Sequence, residues 1–237
     1  MKNNLIINGS GEYPGGTYDK ISIRGEGTIL NQVESSVFHV YGTCEARENL
    51  STGSAKILGE AKIKGNVEAE ETLIMGSMAI DGKAILKKMK VFGALEVGES
   101  LSGNEATIKG SISVKGDVEY ETFESSGGFD IKGLLNADTI KIALRYGESK
   151  AEEIGGGNIT VKRKRNSFIP FVGEEGSLAA KVIEGDDVYL ENTRAEVVRG
   201  NKVNIGPGCQ IGLVEYTNDF SENANSTVKM TKKIGGE

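Results

Sequence analysis

Apolar residues along this chain recur in pairs two apart, and the pairs recur every seventeen residues. The frame is set by Gly25, Gly42, Gly59, Gly76, Gly93, Gly110 and Gly127. Counted from each of these glycines, position 5 reads Ile29, Ala46, Ile63, Ile80, Val97, Val114 and Ile131. Position 9 reads Val33, Leu50, Val67, Ala84, Leu101, Val118 and Leu135, and position 16 reads Val40, Ile57, Ile74, Val91, Ile108, Ser125 and Ile142. Inward positions therefore come as 3 and 5, 9 and 11, and 14 and 16. A spacing of two is the signature of a strand, whereas a helix would space its apolar face near 3.6. Three short strands per repeat, separated by glycine corners able to supply positive φ, predict an all-β fold: a β-solenoid of three-sided coils of about 17 residues. Successive coils would lie ~4.8 Å apart, each strand pairing in parallel with its equivalent above and below.

The register runs back to Ile21 and Ile23, with Leu5 and Ile7 opening a first, incomplete coil. Four segments follow: coils over 1–143, an irregular insertion over 144–180, further coils over 181–216 and a polar, disordered tail over 217–237. Alternation returns in the third segment at Val182, Val188 and Leu190, Ala195 and Val197, Val203 and Ile205, and Cys209 and Ile211.

Composition narrows the function. The chain has 237 residues, 33 Gly, 3 Pro and no Trp, and a formal net charge of −6. An acidic chain of this kind does not advertise nucleic-acid binding. The two cysteines, Cys44 and Cys209, are far apart and fall at inward positions. They fit neither a metal site nor a disulfide framework, which points to a reducing, cytoplasmic setting. The only histidine, His39, stands at outward position 15 and reads as a surface residue. Carboxylates scatter over outward positions among lysines, and no phosphate-binding glycine motif is present, so neither a cofactor nor catalysis is expected. A solenoid acyltransferase would keep a strict hexapeptide rhythm, which the division of these coils does not.

Two features rise above that background. Lys162, Arg163, Lys164 and Arg165 run into Phe168, Ile169, Phe171 and Val172. Cations beside an apolar tip suit docking on an anionic membrane surface or a partner, and equally a loop that folds back over the coil stack. Position 17 reads Tyr41, Leu58, Met75 and Phe92 in four successive repeats. These residues either tuck into the corner or form an outward ridge ~15 Å long, available for lateral contact.

The shape itself implies assembly. A solenoid does not close on itself, so its outermost coils carry unpaired backbone groups and an apolar cross-section. No amphipathic helix is expected at either end to cover them. Leu5, Ile7, Ile21, Ile23, Ile205 and Ile211 are the expected terminal-coil contacts with further copies of the chain.

The opening Ile7-Asn8-Gly9-Ser10-Gly11, the Ile21-Ser22-Ile23 before Gly25 and the repeated glycine-apolar units resemble the bactofilins, a bacterial polymer-forming cytoskeletal family. The stretches Ile183 to Thr193 and Val198 to Cys209 resemble the C-terminal part of its longer Firmicute-type members. The resemblance spans most of residues 5–216. It implies a right-handed parallel β-helix and nucleotide-independent filaments. It also implies a scaffold at the inner face of the cell membrane, with the chain itself, the membrane surface and a related bactofilin as partners. The competing expectation is a capped, monomeric β-helix that recruits proteins along the ridge.

Overall fold

The computed structural model describes residues 3–164 and 176–235, and every regular element among them is a β-strand. The strands pair in parallel, as the seventeen-residue repeat requires, and the chain divides into two compact units, Met1–Val118 and Glu119–Glu237.

In the first unit the usual coil is a four-residue strand followed by an eight-residue one: Glu26–Ile29 then Val33–Val40, Thr43–Ala46 then Leu50–Ile57, Glu60–Ile63 then Val67–Ile74. After Ala94–Val97 the long strand is split into Leu101–Ser102 and Glu105–Ile108. The ladder steps by whole repeats, so that Val33 faces Leu50, Leu50 faces Val67 and Val67 faces Ala84. Each eight-residue strand hides a corner. Ser36, Gly53 and Glu70 drop out of the ladder, and the inward side changes phase there, from Val33 and Ser35 to Phe38 and Val40. Three sides per coil follow, as the apolar pairs predicted. Position 5 is closed completely: Ile29 and Ile63 have no solvent exposure. Burying one such side chain contributes about 1.5–3 kcal/mol, a gain repeated wherever the position holds Ile or Val and smaller at Ala46.

The glycine column works differently from the expectation. Gly42, Gly59, Gly76 and Gly93 do not adopt positive φ. A Cβ on any of them would instead overlap the carbonyl oxygen of the glycine one coil earlier. Glycine is required because backbone meets backbone at this corner, which is a packing constraint and not a conformational one. The opposite corner is tied by side-chain amides: the Asn66 N–H donates to Asn49 Oδ1 and the Lys83 N–H to Asn66 Oδ1, both at 2.8 Å.

The second unit is also a parallel β-solenoid, but its strands run long: Gly128–Leu144, Glu148–Arg163, Ser177–Leu190, Thr193–Ile205 and Gln210–Glu222, then the short Thr227–Lys233. One inward column reads Ile140, Ile159, Val188, Val203 and Phe220, with spacings of 19, 29, 15 and 17 residues.

Three expectations are corrected here. Glu148–Arg163 is a full coil rather than part of an irregular insertion. Its inward set, Ser149, Ala151, Ile154, Ile159 and Val161, is partly small or polar, so the alternation is muted. The tail expected over 217–237 holds strand up to Lys233: Gln210–Glu222 extends into it and Thr227–Lys233 pairs onto that strand. Ile183 and Val198 point inward, not their neighbours Val182 and Val197, because a corner places two outward residues in succession.

Candidate assembly surfaces

The position-17 corner of the first unit resolves outward. Tyr41, Leu58, Met75 and Phe92 are 46%, 37%, 54% and 46% exposed, on four successive coils. Their positions are fixed by the backbone. The N–H of Leu58 donates to the carbonyl of Val40 at 2.8 Å, and that of Gly59 shares the same acceptor at 3.2 Å. Met75 and Phe92 repeat the bond to Ile57 and Ile74, each at 2.8 Å. Position 17 follows inward position 16, held by the buried Val40, Ile57, Ile74 and Val91, so strand alternation turns it to the outer side. Cations close the ridge at both ends, with Arg24 lying 6.0 Å from the Tyr41 ring centre and Lys109 Nζ 5.1 Å from that of Phe92. Such contacts hold a charge beside an aromatic face at modest gain.

The first coil supplies the second surface. Asn4–Ile7 pairs onto Lys20 to Ile23, and Ser10–Tyr13 onto Glu26–Ile29. Among the described residues each of these strands has a partner on one side only, which leaves the other edge unpaired. Its inward set is apolar or aromatic: Leu5, Ile7, Tyr13 and Tyr18. Ile7 is fully buried and Leu5 partly exposed. Ile21 and Ile23, expected as end contacts, are themselves fully buried beneath Leu5 and Ile7 and do not belong to the outermost coil.

The C-terminal expectation is corrected in the same way. Ile205 faces Glu222 and Ile211 faces Val228, so both lie one coil inside the edge. The outermost strand is Thr227–Lys233, whose Thr231 and Lys233 stack on Val214 and Tyr216. Polar or charged groups at inward positions, together with edge lysines such as Lys229 and Lys232, are devices that discourage further strand addition.

The basic cluster is only partly within the described residues. Lys162 Nζ sits 5.4 Å from the Tyr189 ring centre. The Arg163 N–H donates to Glu191 Oε2 at 2.6 Å, and the Lys164 N–H to the carbonyl of Leu144 at 2.8 Å. Arg165, Phe168, Ile169, Phe171 and Val172 lie outside the described residues.

Nucleophile chemistry has little foothold in the described residues. Burial, with a smaller push from Glu45, raises the Cys44 thiol to about 12, and burial also raises Cys209. A thiol protonated at neutral pH is a weak nucleophile. Among the described residues no group of three or more potential metal ligands forms, and there is no helix long and apolar enough to cross a membrane. In the second unit a shallow groove of about 740 Å³ follows Gly156, Gly185 and Gly200. It is walled by a hydrogen-bonded ladder in which Asn201 donates to Asp186 at 3.0 Å and Thr217 to Asn201 at 2.6 Å.

The chain is thus a parallel β-solenoid protein whose distinctive surfaces are edges and ridges. No family model and no solved structure matches it. It is 41% identical to YhbF of Bacillus subtilis (strain 168) over 231 residues, covering 98% of this chain and 97% of YhbF. It is 39% identical to YhbE of the same strain over 231 residues, covering 97% of this chain and 98% of YhbE. Both relatives are described as uncharacterized proteins. The chain belongs to the YhbE and YhbF family.

Proposed function

We propose that the protein is a structural scaffold of the bactofilin type, which assembles with copies of itself, or with a related chain, into filaments without a nucleotide. The supporting observation is the open edge of the first coil. Strands Asn4–Ile7 and Ser10–Tyr13 are each paired on one side among the described residues and carry Leu5 and Tyr13 at inward positions. A second molecule that continues this ladder satisfies the free backbone groups and removes apolar surface from water in one step. The role is structural and not enzymatic, and the setting is cytoplasmic. The segment Lys162 to Val172 suits an anionic lipid surface, so membrane contact is assigned to it, with flotation on phosphatidylserine vesicles as its readout.

Negative-stain microscopy of the purified, nucleotide-free protein tests the reading. Filaments are expected, and Leu5→Arg, which sets a charge in the open cross-section, is expected to abolish them. Discrete particles at every concentration would overturn the proposal.

A second reading, a monomeric adaptor, is favoured by one observation: the polar, lysine-rich strand Thr227–Lys233. It suits an end that is finished and not awaiting a partner. Under that reading Leu5→Arg changes nothing in the micrographs.

A further inference from the structure

The ridge Tyr41, Leu58, Met75 and Phe92 is bordered by rows of opposite sign. On the side that precedes it in each coil, the outward residues at positions 13 and 15 include Lys20, Lys56, Lys88 and Lys90, against Glu71 and Glu105. On the side that follows, positions 2 and 4 include Glu26, Glu45, Glu60 and Glu96, against Lys62. The apolar row therefore runs between a basic flank and an acidic one. An anionic lipid surface does not fit this arrangement, because it would press one flank of carboxylates against phosphate headgroups. A second copy does fit, provided each basic flank meets an acidic one.

Symmetry then decides the orientation. A two-fold axis perpendicular to the stacking direction and lying in the contact plane sets basic flank on basic flank. An axis parallel to the stacking direction exchanges the flanks, so that basic meets acidic on both sides. The second arrangement also keeps coils level, bringing Leu58 beside its own equivalent and Lys56 opposite Glu60. We propose that this corner is a lateral interface with a second copy of the chain, related by a two-fold axis parallel to the direction in which the coils stack.

The proposal rests on the reading of the protein as self-assembling, but not on end-to-end stacking. A row of four side chains covers far less than the roughly 800 Å² per partner of a stable isolated interface. Lateral pairing is accordingly weak between free molecules and strengthens where another contact raises the local concentration.

Oxidative crosslinking of added cysteines is the test. The native thiols do not compete, since Cys44 and Cys209 are each 1% exposed. Tyr41→Cys and Leu58→Cys are each expected to form disulfide-linked dimers when oxidised alone, in the otherwise unaltered chain and in the Leu5→Arg chain. Lys56→Glu placed beside Leu58→Cys is expected to cut the dimer yield about tenfold through like-charge contact. Adding Glu60→Lys to that chain is expected to restore it. Dimers formed only when Leu58→Cys is mixed with Met75→Cys would mean the antiparallel arrangement and would overturn the proposal. So would failure of Glu60→Lys to rescue, or vesicle binding that Phe92→Ser abolishes. No crosslink in protein that still forms filaments overturns the lateral contact alone and leaves stacking intact.

Discussion

The two units build the same parallel solenoid by different rules. In the first, the step is sixteen residues at the opening coil and seventeen from Gly16 onward, and two of the three corners are occupied by backbone packed on backbone and by an asparagine ladder. In the second, the steps range from 15 to 29 residues, and corners use left-handed residues, with Asn192 at φ 49° and Gly147 and Gly208 at 66° and 81°. The inward glycines Gly156, Gly185 and Gly200 leave space that neighbouring β-branched side chains fill, as Ile159 does beside Gly185 and Val203 beside Gly200. Regular length is therefore not what a parallel solenoid requires. What it requires is that each inward pair land on the pair below, and the chain between pairs is free to vary where the corner is open. Uniform coils bring something additional: an outward position that repeats in register, and with it a continuous ridge.

The largest expected contrast concerns the corner glycines. Gly59→Ala drives a Cβ into the carbonyls of Gly42 and Tyr41 and should destabilise the protein by about 3 kcal/mol. Gly128→Ala, with nothing within 4 Å of the new Cβ, should stay within about 0.5 kcal/mol of the parent. Urea unfolding compares them, and equal costs would end the claim that close backbone approach selects glycine in the first unit.

Lengthening a corner comes next. Two glycines inserted beside Gly82 break the bond from the Lys83 N–H to Asn66 Oδ1 and should cost about 2 kcal/mol. The same insertion beside Gly147, where φ is 66° and nothing crowds the residue, should cost under about 1 kcal/mol. A reversed order in thermal melts would contradict the distinction between closed and open corners.

A smaller effect of opposite sign is expected at Thr72. Its hydroxyl is buried without a hydrogen-bond partner among the described residues. Thr72→Val keeps the shape and removes the unsatisfied group, so it should stabilise by about 1 kcal/mol. Destabilisation in urea would point to a partner for that hydroxyl.

The smallest effects are those of pH, and they separate the units by window. Burial first, then Lys20 and Lys56, holds the His39 imidazole below its ordinary 6.5. The unfolded chain takes up that proton first as pH drops, so this contribution is present above 6.5 and is lost on the acid side. In the second unit the hydrogen bond from Arg199, with Lys232 nearby, holds the Glu215 carboxyl below its ordinary 4.5. Its contribution is present above 4.5 and disappears as pH falls through the depressed value. Melting temperatures across the acid range should flatten in the upper window for His39→Gln and in the lower one for Glu215→Gln. Unchanged profiles would remove both assignments.

The first unit was legible in the sequence because six inward positions recur at fixed spacing, and one of them, position 5, is almost always Ile or Val. The coil Glu148–Arg163 was not, because Ser149, Ala151 and Gly156 carry too little apolar signal and the next register match lies 29 residues on. The strand Thr227–Lys233 escaped for a related reason: the outermost coil has no neighbour to bury it, so Thr231 and Lys233 occupy inward places without penalty. The glycine column was visible as a period, yet its cause was misread, since close approach of two backbones leaves no trace in composition. At position 17 the sequence left inward and outward placements open. The strand alternation carries through the corner, so the residue after buried Val40, Ile57, Ile74 or Val91 faces solvent.

Self-association through the first coil is tested most directly by sedimentation velocity of nucleotide-free protein over a dilution series. Wild type is predicted to run as large species that dissolve toward monomer on dilution, while Leu5→Arg runs as small species throughout. A single monomer boundary for both proteins at all concentrations would contradict the account.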